Sequence, residues 1–163
     1  MGGYGSVKVF VVYDSKYGNT KLVAEKIVEG LKEVDGVETA IGYIKDVDVG
    51  EVAAAEAVLL GGPNHMGKPT RTLMKFVDKL SGAKRKTKWI AAFDTYIWRE
   101  KNFGKAMRKL EKRMSEKFPD VKLLSPGLSI KVIGITGPIA DGELPKCVEY
   151  GKKIGMELQK ASA

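Results

Sequence analysis

Four residues near the N-terminus have the types and the spacing of an anion-binding loop. Ser15, Gly18, Asn19 and Thr20 follow the apolar run 7–13 and open a stretch with helical spacing of apolar residues. Hydroxyl groups, a glycine that allows close backbone approach and the free N–H groups of a helix N-terminus together attract an anion such as phosphate. The patterns G-x-x-x-x-G-K-[ST] and G-x-G-x-x-G are both absent. Capping of the helix by Asn19 and Thr20 is the alternative explanation for this loop.

Two later loops also carry side chains that could contact a ligand. The loop Gly61–Thr70 contains His65, the single histidine of the chain. The loop Asp94–Gly104 contains Tyr96 and Trp98. Two large aromatic side chains in one polar loop are unusual, because an exposed ring gains little unless it packs on a ligand, the core or a partner.

The apolar pattern predicts the elements that must position these loops. Short apolar runs rich in β-branched residues predict five strands, at 7–13, 37–44, 57–60, 89–93 and 129–135. Helical spacing between the runs predicts four or five helices. This alternation predicts an α/β fold, in which right-handed crossovers place helices on both faces of a parallel sheet. Such sheets bind ligands beyond the carboxyl ends of their strands, where the three loops follow strands one, three and four.

Charge and composition narrow the class of protein. The chain has 163 residues and a net charge of +8; residues 1–81 carry 10 basic and 11 acidic side chains, and residues 82–163 carry 18 and 9. This asymmetry suggests an acidic partner, nucleic acid or an acidic membrane surface.

The single cysteine, Cys147, and the absence of a signal-peptide pattern or a 20-residue apolar run predict a cytoplasmic protein without membrane insertion. One histidine and one cysteine give no metal-ligand cluster. We expect a single domain over 1–163, with a flexible N-terminus at 1–6.

The first two loops resemble those of the flavodoxin family. The run Val9–Thr20 is similar to that family's first strand and phosphate loop, [ST]-x-T-G-N-T, with Tyr17 in place of a small hydroxyl residue. The second loop is similar to the family pattern G-[ST]-P-T-x-x-G. Pro63 and Gly67 match that pattern, and Asn64 stands where threonine is usual.

The third loop resembles the A-Y-G-W segment of the flavodoxin domains of flavodiiron proteins. This resemblance implies that Tyr96 or Trp98 stacks on the outer face of a flavin ring. It also implies that Asn64 and backbone groups hold the ribityl chain or ring edges, that His65 or Met66 lies on one ring face, and that a peptide at Gly67 can flip. The cofactor-binding residues implied are Ser15, Lys16, Tyr17, Gly18, Asn19, Thr20, Pro63, Asn64, His65, Met66, Gly67, Asp94, Thr95, Tyr96 and Trp98.

The resemblance implies the fold, the cofactor and the class of function. The expected architecture is a flavodoxin-like three-layer sandwich around a five-stranded parallel sheet of order 2-1-3-4-5. The expected cofactor is FMN, in an electron carrier for one or two electrons rather than a stand-alone enzyme. Basic residues in and beside the three loops predict redox partners with an acidic docking surface and a less negative reduction potential than an acidic flavodoxin has.

Three other functions remain open from the sequence. The first is an FMN-dependent NAD(P)H:quinone reductase, and the second is a regulatory domain without flavin. The third is nucleic-acid binding through Lys84–Lys86 and Arg108–Arg113, although charge runs of this kind are usually solvated faces.

Overall fold

A computed structural model describes residues 6–97 and 99–162. Strands and helices alternate along the chain, as the apolar pattern predicts. The elements are β1 (Val7–Tyr13), α1 (Asn19–Leu31), β2 (Val37–Tyr43), α2 (Val49–Ala53), β3 (Ala57–Pro63), α3 (Arg71–Gly82), β4 (Trp89–Ile97), α4 (Lys105–Lys117), β5 (Lys122–Leu123), β6 (Leu128–Val132) and α5 (Leu144–Ser162). A 3₁₀ turn at Glu100–Asn102 precedes α4. The expected flexible segment 1–6 lies, apart from Ser6, outside the described residues.

The sheet is parallel and confirms the predicted strand order. Its sequence of strands is β2-β1-β3-β4, and both β5 and β6 pair with the far side of β4. The fifth position is therefore filled by two short strands, where the sequence predicts one strand at 129–135. The physical reason lies at Pro126, which has no N–H group for the ladder, and at Gly127, whose N–H donates to the Glu111 carboxylate at 2.9 Å.

Two apolar layers hold the helices against the sheet. Alternate residues of β1 point to opposite faces, so that Val9 and Val11 belong to one buried cluster and Phe10 and Val12 to the other. Helices α1 and α5 cover the first cluster, and α2, α3 and α4 cover the second. The predicted three-layer sandwich is thus confirmed.

The contact between α1 and α5 is close because glycines leave room for the neighbouring backbone. A Cβ atom added at Gly151 would lie 2.1 Å from the carbonyl oxygen of Ile27. A Cβ atom at Gly30 would lie 2.0 Å from the carbonyl oxygen of Val148. The two helices therefore touch through their main chains.

Strand β4 is longer than the sequence predicts. It runs to Ile97 instead of ending at Phe93, and Asp94–Ile97 belong to the sheet. The end of β4 pairs with β6, which provides the hydrogen-bonded partners of Phe93–Ile97 in the sheet.

Within residues 6–97 and 99–162, no helix is both long and apolar enough to cross a membrane.

Candidate functional site

A cavity of about 450 Å³ lies at the carboxyl edge of the sheet. Its volume falls in the range of small-molecule sites. It is formed by the loop after β1, the loop after β3, the end of β4 and the segment after β6. The lining residues are Ser15, Lys16, Tyr17, Asn19, Thr20, Pro63, Asn64, His65, Met66, Thr95, Ile97, Val132, Gly134 and Ile135.

The loop after β1 supplies hydroxyl groups and a lysine to the lining of the cavity. Gly18 has the left-handed φ of 90° and stands immediately before α1, and its N–H donates to Ser15 Oγ at 3.1 Å. The capping position is therefore occupied by a glycine, and Asn19 and Thr20 are the first residues inside the helix. The Thr20 hydroxyl shares a hydrogen bond of 3.1 Å with the Thr95 hydroxyl, which ties the helix N-terminus to β4. A helix N-terminus with adjacent hydroxyl groups favours an anion.

The loop after β3 forms a tight hairpin. His65 and Lys68 exchange backbone hydrogen bonds of 2.8 and 3.0 Å. Between them, Met66 and Gly67 have φ values of 53° and 82°, in the left-handed region that the turn requires at both positions. The Met66 side chain stands fully exposed at the tip of the hairpin.

Asn64 supports this hairpin from within. Its Oδ1 atom accepts a hydrogen bond from the Gly67 N–H at 2.6 Å, and its Nδ2 atom donates to the carbonyl oxygen of Asn102 at 3.1 Å. Both polar atoms of the side chain therefore have protein partners. Asn64 lines the cavity and its amide also holds two loops together, with one N–H and one lone pair left for a ligand; the expected contact with the ribityl chain or ring edge stays a prediction.

The segment at the end of β4 differs most from the sequence-based expectation. Because strand residues alternate between faces, Thr95 and Ile97 line the cavity while Asp94 and Tyr96 point to the opposite face. Tyr96 is 3% exposed, its ring packs edge-on against Phe103 at 5.6 Å, and its hydroxyl donates to Glu100 at 3.5 Å. The structure therefore places the Tyr96 ring away from the cavity lining, and stacking of Tyr96 on a flavin stays a prediction. Trp98 lies outside the described residues, and its stacking stays a prediction.

Asp94 also lies away from the cavity, where it anchors α4. It is 1% exposed, and its Oδ2 atom accepts a hydrogen bond from the Met107 N–H at 2.8 Å. Its Oδ1 atom accepts from the Ser129 hydroxyl, which in turn accepts from the Gly104 N–H at 2.8 Å. Burial raises the pKa of the Asp94 carboxyl to about 6, against the opposing effect of these hydrogen bonds. Asp94 thus joins β4, β6 and the start of α4.

Four residues that the sequence reasoning missed form the apolar wall of the cavity. They are Ile97, Val132, Gly134 and Ile135. The segment after β6 folds back on itself, with hydrogen bonds from Ile133 N–H to Pro138 O at 2.9 Å and from Gly137 N–H to Gly134 O at 3.0 Å. The sequence could have predicted these residues, because ligands of parallel sheets bind beyond the carboxyl ends of the strands and the last strand is no exception. Of the expected set, Gly18 and Gly67 shape their turns without lining the cavity.

The lining of the cavity combines two kinds of chemistry. Hydroxyl groups, Lys16 and the N-terminus of α1 supply polar and positively charged groups, and Ile97, Val132 and Ile135 supply apolar side chains. A ligand that combines an anionic group with a flat apolar ring matches this lining. FMN, with its terminal phosphate and its isoalloxazine ring, is a ligand of that kind.

Comparison with known proteins identifies the family. The family model for flavodoxin matches residues 11–134. A flavodoxin of Aquifex aeolicus is 32% identical over 75 residues, which are 46% of this chain and 40% of the relative. An NAD(P)H dehydrogenase (quinone) of Geotalea daltonii is 32% identical over 100 residues, which are 47% of this chain and 49% of the relative. The match thus spans less than half the length of these curated relatives.

Solved structures agree with the family and with the fold. An archaeal flavodoxin superposes with a TM-score of 0.78 at 28% identity, covering 94% of this chain and 99% of that one. A flavodiiron core from Synechocystis shares the fold, with a TM-score of 0.76 at 21% identity over 96% of this chain and 37% of its own. With the family model covering most of the chain and the fold matching throughout, the chain belongs to the flavodoxin family, whose cofactor is FMN.

Proposed function

We propose that the chain binds FMN in the cavity at the carboxyl edge and carries one or two electrons between redox partner proteins. The observation that supports this proposal is the mixed lining of the cavity, which combines the N-terminus of α1 and neighbouring hydroxyl groups with apolar side chains. Bound FMN supplies the redox chemistry, while the protein supplies binding, orientation and electrostatics.

Each part of the cavity has a proposed role. The segment Ser15–Thr20 holds the phosphate, with Lys16 adding a positive charge. The hydrogen bond between Thr20 and Thr95 keeps that segment against the sheet. The apolar side chains of the wall contact the ring and exclude water from one face, and His65 and Met66 border the ring from the hairpin. Trp98 is retained as a candidate for the outer face.

We expect the protein to bind FMN more tightly than riboflavin, because only FMN carries the phosphate. Lys16→Glu should weaken FMN binding by about tenfold and leave riboflavin binding nearly unchanged, since a charged partner contributes on the order of 1.5 kcal/mol. Flavin absorption and fluorescence quenching during titration measure both affinities. Lys32→Glu, at the other end of the same helix, makes the same charge change far from the cavity and serves as the control. Failure of the purified protein to bind FMN would overturn the proposed function.

We also expect a less negative reduction potential than in flavodoxins with acidic surroundings. Exposed cations at Lys16, Lys68 and Arg71 lie in or beside the cavity loops, and positive charge stabilises the negatively charged reduced cofactor. A potentiometric titration at low and at high ionic strength tests this expectation. Added salt should make the potential more negative, because it screens exposed charges. A very low potential that is insensitive to salt would contradict it.

The same cations support redox partners with an acidic docking surface, since complementary charge speeds protein association.

The second candidate function is reduction by NAD(P)H in a quinone reductase, which the relative from Geotalea daltonii favours. Rapid anaerobic bleaching of bound FMN by NADH or NADPH would support that alternative. A cytoplasmic location and a single domain over 1–163 stay predictions.

A further inference from the structure

We infer that the redox partner docks beside the cavity on one defined surface, the basic N-terminal half of α4 together with the hairpin tip, and that it meets this surface with acidic side chains. This inference rests on the proposed electron-transfer function. We call the surface the α4 docking face. Its residues are Met66, Lys68, Phe103, Lys105, Arg108, Lys109 and Lys112.

The hairpin and α4 are joined, which places the cations of α4 next to the cavity. A Cβ atom added at Gly67 would lie 3.5 Å from Lys105 Cδ and 3.7 Å from Lys109 Nζ. The hydrogen bond from Asn64 Nδ2 to Asn102 O fixes the same two segments to each other. Because Asn64 also lines the cavity, one side chain separates the cofactor site from the start of the docking face.

Among the described residues, the cations of α4 at the end near the cavity form no salt bridge, and of these Arg108 acts through space on the buried carboxyls of Asp94 and Glu111. In the described ranges 6–97 and 99–162, none of the four cations Lys105, Arg108, Lys109 and Lys112 takes part in a salt bridge. The acid between them, Glu111, is buried and accepts a hydrogen bond from the Gly127 N–H. Near the far end of the helix the situation is reversed, since Asp78 pairs with Arg113 at 2.6 Å and with Lys117 at 3.9 Å.

The opposite flank of the cavity has a different character. The segment 133–139 contains no charged residue, and its exposed side chains Ile133 and Ile135 are apolar. A charged partner is therefore steered toward the α4 side and not toward this flank.

Exposed apolar side chains within the docking face favour a protein over nucleic acid. Met66 is completely exposed, and Phe103, two residues before α4 begins, is 45% exposed. Protein interfaces combine an apolar centre with a polar rim, and methionine and aromatic residues are enriched in them. The five cations and two apolar side chains of the docking face match a protein partner that presents acidic and apolar side chains together.

The test uses an acidic [2Fe–2S] ferredoxin as the probe and compares two double variants of equal charge change. Lys105→Glu with Lys109→Glu alters the docking face. Lys84→Glu with Lys86→Glu alters exposed residues before β4, at the opposite edge of the sheet. Stopped-flow spectroscopy measures electron exchange between each FMN-loaded protein and the ferredoxin at low ionic strength, and FMN affinity is measured first.

We expect the docking-face variant to lose about tenfold or more in the second-order rate constant, with most of the loss removed by high salt, and the control variant to lose at most about twofold. FMN affinity should be unchanged in both. Equal losses in the two variants would overturn the inference, because they would show a net-charge effect without a defined surface. A duplex DNA that binds the wild type and not the docking-face variant, while ferredoxin rates stay equal, would also overturn it in favour of nucleic acid. Absence of FMN binding would instead contradict the proposed function itself.

Discussion

Replacing Gly151 with alanine should destabilise the protein by about 3 kcal/mol, the scale expected for overpacking in a tight contact. The added methyl group would lie 2.1 Å from the carbonyl oxygen of Ile27, and neither main chain can yield without separating α1 from α5. Alanine is intrinsically better than glycine inside a helix, so the sign of the result shows that packing dominates over helix propensity. Urea unfolding followed by circular dichroism measures the change.

Gly82→Ala is the matched control for this prediction. Gly82 is the last residue of α3, and an added Cβ there would have no heavy atom within 4 Å. The free energy of unfolding of this variant should be unchanged or up to about 1 kcal/mol higher, because the substitution changes only the helix propensity of the residue and no packing contact. Similar stabilities for Gly82→Ala and Gly151→Ala would show that the close approach of the two helices does not exist in solution.

The buried carboxyl of Asp94 should make the stability of the protein fall as the pH rises from about 4 to about 7. Its pKa is raised from 3.8 to about 6 in the folded state, mainly by burial. Between these two values the folded chain holds a proton that the unfolded chain has lost, so that the stabilising contribution is complete below pH 3.8 and is lost as the pH passes 6. The size of the effect is about 3 kcal/mol, at 1.36 kcal/mol for each pKa unit.

Asp94→Asn isolates this contribution, because the amide resembles the protonated carboxyl and does not titrate. The free energy of unfolding of the variant minus that of the wild type should increase by about 2.4 kcal/mol between pH 4 and pH 7, since part of the contribution is already lost at pH 4. A constant cost from the altered hydrogen bond to Ser129 cancels in this comparison. Asp78→Asn is the control without a comparable change in this range, because the hydrogen bond from Arg113 lowers the pKa of Asp78 from 3.8 and its effect on stability therefore falls below pH 4. A difference between wild type and Asp94→Asn that does not change with pH would contradict the prediction.

Local pattern was sufficient for most of the fold. The runs 7–13 and 37–44 became strands within one residue of their predicted bounds. For 7–13 the reason is that a buried parallel strand needs a nearly continuous apolar segment. Helix α3 begins where Thr70 accepts a hydrogen bond from the Leu73 N–H, an interaction between residues three apart. Structural features that depend on residues only a few positions apart can be predicted from the amino-acid sequence.

The loop Ser15–Thr20 could also be predicted from the sequence. Five of the six residues from Ser15 to Thr20 line the cavity, and Gly18 has the positive φ expected of it. The loop is short, it follows a strand, and it opens a helix, so its residue types are enough to predict which of its side chains lie at the N-terminus of α1.

The end of β4 could not be predicted in the same way. Asp94, Thr95 and Tyr96 look like loop residues, because a polar group in a buried strand is costly unless it finds a partner. Their partners are Ser129, Thr20 and Glu100, and the first two come from elements distant in the chain. Once the strand continues, its alternation sends Asp94 and Tyr96 to one face and Thr95 to the other.

By itself, the sequence determined the α/β class, the strand order through its family resemblance, the position of the loop Ser15–Thr20 at the start of a helix and the excess of positive charge in the second half of the chain. The tertiary structure decided which side chains face the cavity, which cations of α4 remain without a salt bridge, and how closely α1 and α5 approach. The physical reason is the distance over which each feature acts. Strands, turns and helix ends depend on residues a few positions apart, whereas burial, pairing of charges and main-chain contact between helices depend on residues that only folding brings together.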